Sequence, residues 1–121
     1  MWNIALDQNS SPKLAGVDTS NSNRGLITIR SDVNDTWSYE MGFYSLGHFG
    51  KFVQPGAYRI QSTTFQDDVE TVAFLNPDNT IVVVVSNRRT NLRKIKLRWN
   101  FKSFELDMPG SSAITFKFNA N

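Results

Sequence analysis

Apolar residues recur at steps of three and four through Tyr39, Phe43, Leu46, Phe49 (or Gly50) and Val53, the spacing that lines one face of a helix. Gly47 and Gly50 each cost about 1 kcal/mol against Ala in a helix interior. The pattern therefore predicts that this helix is pressed close against another element at those two positions. Asp35 or Thr36 stands where a cap is expected. Gln54-Pro55-Gly56 ends the run, because Pro cannot continue a helix and Gly accepts a positive φ.

Beyond Pro55-Gly56 the period changes to that of strands. Ala57 to Thr64 alternates moderately, and Glu70 to Leu75 reads as the next strand. Asn76-Pro77-Asp78-Asn79 is turn chemistry. Thr80 to Val85 is a β-branched run, too continuous for a strand wet on one face, so a central strand covered on both sides is expected. Leu92 to Trp99, Ser103 to Met108 and Ser112 to Phe118 follow, separated by Asn100 and by Pro109-Gly110. These lengths and turn spacings predict an antiparallel sandwich. Ahead of the helix, residues 1–7 read as a short buried strand and Gly25 to Arg30 as another. Between them, Gln8 to Asn23 is rich in Asn, Ser, Asp, Gly and Thr, a loop of the length that often marks a functional rim.

At 121 residues with no Cys and a formal net charge of +2, the chain fits one modest domain and excludes disulfides and thiolate metal ligands. The opening residues have neither the charged nor the apolar region of a signal peptide, and no run is long enough to span a membrane. Asn9-Ser10-Ser11 and Asn34-Asp35-Thr36 are acceptor triplets for N-linked glycosylation.

Three blocks carry a family resemblance. Leu46-Gly47-His48-Phe49-Gly50-Lys51-Phe52-Val53, followed by Pro55-Gly56-Ala57, resembles the last barrel helix of family 30 glycoside hydrolases, the glucosylceramidase group. Trp2-Asn3-Ile4-Ala5-Leu6-Asp7 is similar to the final barrel strand of that family. Val72 to Asp78 and Ile81 to Arg88 resemble the hairpin of its C-terminal β-sandwich. The resemblance implies a mainly β chain with one principal helix, an antiparallel β-sandwich accessory to a (β/α)8-barrel glycosidase. Residues 1–56 would be the last β/α unit of the barrel with rim loop 8–23, and residues 57–121 the sandwich strands. A complete barrel takes about 250 residues, so an upstream barrel segment of the same enzyme is the implied partner.

Retaining glycosidases work with two carboxylates about 5–5.5 Å apart. In the family these are glutamates at the ends of the fourth and seventh barrel strands, so the resemblance places both before Met1. No catalytic residue is assigned to this chain, and none is expected of Glu40, Glu70 or Glu105. Trp2 is the expected substrate contact, since it resembles a family tryptophan at the barrel end that carries active sites. Its face can stack on a sugar ring. The rim departs from the family: Ser10-Ser11-Pro12 stands where many members have Gly-Gly-Pro, and Leu14 and Val17 replace an aromatic and an Asn near substrate. Pro12-Lys13-Leu14-Ala15-Gly16 is more similar to fungal or invertebrate members, some of which act on β-1,6-glucan. The implied substrate is glucosylceramide or a related β-glucoside, the implied compartment lysosomal or extracellular, and the isolated chain is expected to be inert.

His48 is the only histidine, and the expected role is a structural hydrogen bond to barrel or sandwich. No ligand set accompanies it, so neither metal nor cofactor is expected. Arg88 to Lys102 holds seven of the 13 basic residues. Lys94, Lys96 and Arg98 alternate with Ile95, Leu97 and Trp99, making one strand face basic. A solvated edge strand is the plain reading, attraction to anionic membrane lipid the functional one, and nucleic acid is set aside. The alternative for the whole chain is a non-catalytic β-sandwich module that binds glycan or anionic lipid.

Overall fold

A computed structural model describes residues 4–11, 25–34 and 36–121. They form nine strands and one helix, in two compact units that divide between Gly47 and His48.

In the first unit, β1 (Ala5–Asp7) pairs in parallel with β2 (Ile27–Arg30), and β2 pairs antiparallel with β3 (Thr36–Tyr39). Leu6 is buried at the centre of β1. Gly25 is needed where β1 and β2 converge, because a Cβ there would lie 3.1–3.3 Å from the backbone of Ile27, Ile4 and Leu6. The Ile4 carbonyl accepts the N–H groups of both Leu26 and Ile27. The pairing of β3 corrects the sequence expectation at this point. Thr36 is a strand residue and not a helix cap, and α1 runs Met41–Gly50. Trp37 and Tyr39 favour a pleated strand, and the Glu40 N–H is taken by the Leu26 carbonyl at 2.8 Å, which holds the chain extended up to the first helical residue.

Helix α1 has no buried residue, and Phe43, Leu46 and Phe49 on its apolar stripe are 37%, 49% and 39% exposed. Among the described residues, no atom lies within 4 Å of the place a Cβ would take on Gly47 or Gly50. The expected close approach at these glycines is therefore not made by any described residue.

The second unit is a sandwich. Strands β4 (Tyr58–Ile60), β5 (Val69–Leu75), β6 (Thr80–Asn87) and β9 (Ser112–Asn119) make an antiparallel sheet in the order β4-β5-β6-β9. Strands β7 (Arg93–Trp99) and β8 (Lys102–Met108) form an antiparallel hairpin. The row Ile60, Ala73, Val83 and Phe116 crosses the inner face of the large sheet in register. Ile81, Val85 and Met108 are buried in the same core, with Ile95, Leu97 and Trp99 of β7 packed on it. The outer face of β6 is covered too: Val82 and Val84 are buried. Phe74 is in register with Val82 and meets Phe49 edge-on at 6.3 Å. Strand β6 is thus buried on both faces, as its unbroken β-branched run predicts.

Turn chemistry closes the sheets. Asn79, Asn100 and Ser111 take φ of 61°, 50° and 52°, a left-handed conformation that Asn adopts more readily than most residues. Gly110 is required by space: a Cβ there would stand 2.0 Å from the Thr90 carbonyl oxygen.

Candidate functional site

The strand β1 ends at Asp7, whose carboxylate organises the chain that follows. Its Oδ1 accepts the backbone N–H of Asn9 at 2.8 Å and of Ser11 at 2.7 Å, while its own N–H donates to the Ser11 carbonyl. The start of the expected rim loop is therefore a closed Asx-type turn. An Asp two residues ahead of Asn-Ser-Ser was the available signal for it. Trp2 lies outside the described residues, as do 12–24, which hold Leu14 and Val17.

His48 lies where the structural reading placed it: Nδ1 is 2.8 Å from Thr115 Oγ1 on β9. Thr115 is in register with buried Val84, so the imidazole sits over the outer face of the sheet. Among the described residues, no cluster of His, Asp or Glu could hold a metal ion.

Each glutamate is engaged singly. Glu40 accepts the Thr28 hydroxyl at 2.6 Å. Glu70 on β5 meets Arg88 at 3.0 Å, and that hydrogen bond, aided by the Asp67 N–H, holds its carboxyl below the ordinary value. Glu105 on β8 meets Lys96 at 2.6 Å, and its carboxyl is lowered by that bond and by the lysine charge. A glycosidase acid needs a raised pKa, so both shifts run against such a role.

The basic strand is matched by acids across the hairpin. Lys94 stands opposite Asp107 at 3.7 Å, Lys96 opposite Glu105, and Arg98 opposite Ser103. Ahead of β7, Arg88 reaches Asp67 and Glu70, while Arg89 and the first residue of β7, Arg93, converge on Asp68. The outer face of the hairpin is therefore one of alternating sign over most of its length.

One concavity went unread in the sequence. A cleft of about 450 Å³ opens between the hairpin and β9, lined by Leu97, Trp99, Phe104, Phe116 and Phe118, with Lys102 and Asn119 among its polar groups. Phe104 meets Phe116 edge-on at 5.7 Å, and Trp99 tilts against Phe118 at 6.4 Å while its Nε1–H donates to the Ala120 carbonyl. The signal was the alternation of Phe116 and Phe118 on one face of β9. Two buried amides also carry the architecture. Asn76 binds Gln54, Phe52 and Thr80, and Asn87 Nδ2 reaches the carbonyls of Asn91, Met108 and Pro109.

These features have relatives. The glycosyl hydrolase family 30 beta sandwich domain matches residues 56–116. Lysosomal acid glucosylceramidase of Mus musculus is 37% identical over 91 residues, covering 72% of this chain and 16% of that protein. Endo-1,6-beta-D-glucanase neg1 of Aspergillus fumigatus is 30% identical over 91 residues, covering 71% of this chain and 18% of that protein. The structure of the endo-beta1,6-glucanase BT3312 superposes with a TM-score of 0.83 at 26% identity, over 98% of this chain and 26% of that one. The chain thus spans less than a fifth of the length of these two sequence relatives. With the match covering β4 to β9 almost entirely, this chain belongs to the glycosyl hydrolase family 30 β-sandwich family.

Proposed function

We propose that this chain is the C-terminal portion of a retaining β-glucosidase of the glucosylceramidase type, with its catalytic glutamates on an upstream barrel segment. Residues 1–56 would complete the barrel as its last β/α unit and residues 57–121 would be the accessory sandwich. Trp2 would contact the glycone, and the turn closed by Asp7 would fix the direction in which the rim loop leaves the strand. The observation that carries this reading is helix α1. Its apolar stripe stays exposed and, among the described residues, nothing approaches Gly47 or Gly50, as expected of a helix whose packing partner belongs to another part of the enzyme. The separate engagement of Glu40, Glu70 and Glu105 adds support. Lysosomal or extracellular operation is part of this reading, and the lysosomal acid glucosylceramidase of Mus musculus among the relatives supports it.

Glucosylceramide is the substrate proposed first, and a β-1,6-linked glucan the alternative from the fungal relative. The test is turnover of an aryl β-glucoside, glucosylceramide and a β-1,6-gluco-oligosaccharide by the isolated chain and by the intact enzyme. The isolated chain should be inert and the intact enzyme active. Turnover by the pure 121-residue chain would overturn the assignment.

A second reading, a non-catalytic glycan-binding module, is favoured by the aromatic cleft between β8 and β9, since aromatic faces stack on sugar rings. It requires the isolated chain to bind oligosaccharide without hydrolysis and to lose that binding in Phe104→Ala. An anionic-lipid role for Lys94, Lys96 and Arg98 has less support, because Asp107 and Glu105 face the two lysines.

A further inference from the structure

Of the two acceptor triplets for N-linked glycosylation, we infer that Asn34 is a modification site and that Asn9 is not. The inference rests on the proposed lysosomal or extracellular compartment, because the modification requires passage through the secretory pathway.

Asn34 occupies the turn between β2 and β3. It is exposed, as are Arg30 to Val33 before it and Thr36 to Tyr39 after it. Its φ of 48° is the left-handed conformation of a turn tip, and it lies outside the ladder that closes at the Arg30–Thr36 pair. The Thr36 backbone N–H donates to the Val33 carbonyl at 3.1 Å, leaving the hydroxyl of the triplet without a hydrogen bond to any described residue. A bulky, hydrated glycan fits such a site. It would also screen Val33, 46% exposed at the same tip, and Trp37, 64% exposed beside it.

Asn9-Ser10-Ser11 is built differently. Asn9 is exposed as well, but the triplet is wound onto Asp7, whose Oδ1 accepts the N–H groups of both Asn9 and Ser11. Ser11 also precedes Pro12, and a residue before Pro is confined to extended backbone. The acceptor reaction needs the hydroxyl of the third residue folded toward the Asn amide. The proline opposes that geometry on the nascent chain, and so does the Asp7 turn, a local structure whose partners lie within four residues.

The full chain, directed into the secretory pathway of a eukaryotic host by a cleavable leader, tests the assignment. Secreted and cell-retained fractions are both digested with a peptide N-glycosidase in heavy-oxygen water and mapped by mass spectrometry. Reading both fractions keeps the result independent of folding, since transfer occurs on the nascent chain. The expected result is a mobility shift removed by the glycosidase, with the heavy-oxygen label at residue 34. The shift should be lost in Asn34→Gln and Thr36→Ala and retained in Asn9→Gln and Thr36→Ser. An unlabelled Asn34 in both fractions, or a shift that follows Asn9, overturns the inference. Label at Asn34 in the directed chain beside an unmodified endogenous protein supports the site and counts against the compartment.

Discussion

The side-chain oxygen of Asn76 accepts the backbone N–H of Gln54 at 3.0 Å, joining the segment after the helix to the β5–β6 turn. The same side chain donates to the Phe52 carbonyl and to Thr80 Oγ1, both at 3.0 Å, and is 2% exposed. A buried amide that satisfies three groups becomes costly when removed, because its partners are left without water. Asn76→Ala is expected to destabilise the sandwich by about 1–3 kcal/mol for each group orphaned. Asn76→Asp should do no better, since it turns a second oxygen toward the Phe52 carbonyl. Urea denaturation checks this, and an unchanged midpoint in either variant would refute the role.

Strand β6 offers a test of burial on two faces. Ile81 and Val85 face the hairpin side, whereas Val82 lies on the face of Phe74 and Phe49. Ile81→Ala should cost about 2–5 kcal/mol through lost burial and the cavity left behind. Val82→Ala should cost about 1.5–3 kcal/mol, far above the half kcal/mol or less of a solvent-facing site. Equilibrium unfolding of the two variants decides the matter, and a near-neutral Val82→Ala would mean that the outer face is wet.

How much of this was legible follows from how local each signal is. The β6 run and the Asn76–Asn79 turn carry their structure in adjacent residues, and both are found where the pattern puts them. The helix start was misread for a physical reason. Tyr39 and Phe43 do sit four apart and stack at 4.1 Å, so the contact that suggested a helix is real, but it joins a strand end to the first helical turn. Asn76 and Asn87 look like turn residues in the sequence, and only the long-range fold turns them into buried clips. The cleft draws on β7, β8 and β9 together, a convergence that periodicity within one strand does not reveal.

Acid should loosen the sandwich in a defined window. Hydrogen bonds from Arg88 to Glu70 and from Lys96 to Glu105 hold both carboxyls below the ordinary value of 4.5, and the Thr80 hydroxyl chiefly holds Asp78 below 3.8. A depressed folded-state pKa means that the unfolded chain takes up protons first as pH falls. The stabilisation is complete above about 4.5 for the glutamates and 3.8 for Asp78, and is lost as pH drops through the lower folded values. All three groups are solvent-exposed, so each effect is small. Thermal midpoints measured from pH 7 to pH 2.5 should be flat in their dependence on these groups down to about 4.5 and then fall. Glu105→Gln should flatten part of that fall, and an unchanged acid limb would remove the Lys96 pair from the account.

The glycines of the helix separate the isolated chain from an intact enzyme. Gly47 lies inside α1 with helical backbone, since Gly56 is the residue of its type that takes positive φ among those described. No described atom approaches the place of a Cβ on Gly47. Gly47→Ala in the isolated chain is therefore expected to be stabilising by up to about 1 kcal/mol, the difference in helix propensity. If the apolar stripe of α1 is covered by an upstream barrel, the added methyl group meets that surface. The same substitution should then destabilise the intact enzyme by about 1–3 kcal/mol through overpacking. Gly110→Ala is the control, since its Cβ would collide with the Thr90 and Asn91 backbone of this chain itself and should be harmful in both settings. Paired thermal unfolding of the two variants in both settings reads the sign directly. A stabilising Gly47→Ala in the intact enzyme would mean that nothing packs on this helix, and the proposed place of the chain as the end of a barrel would fall with it.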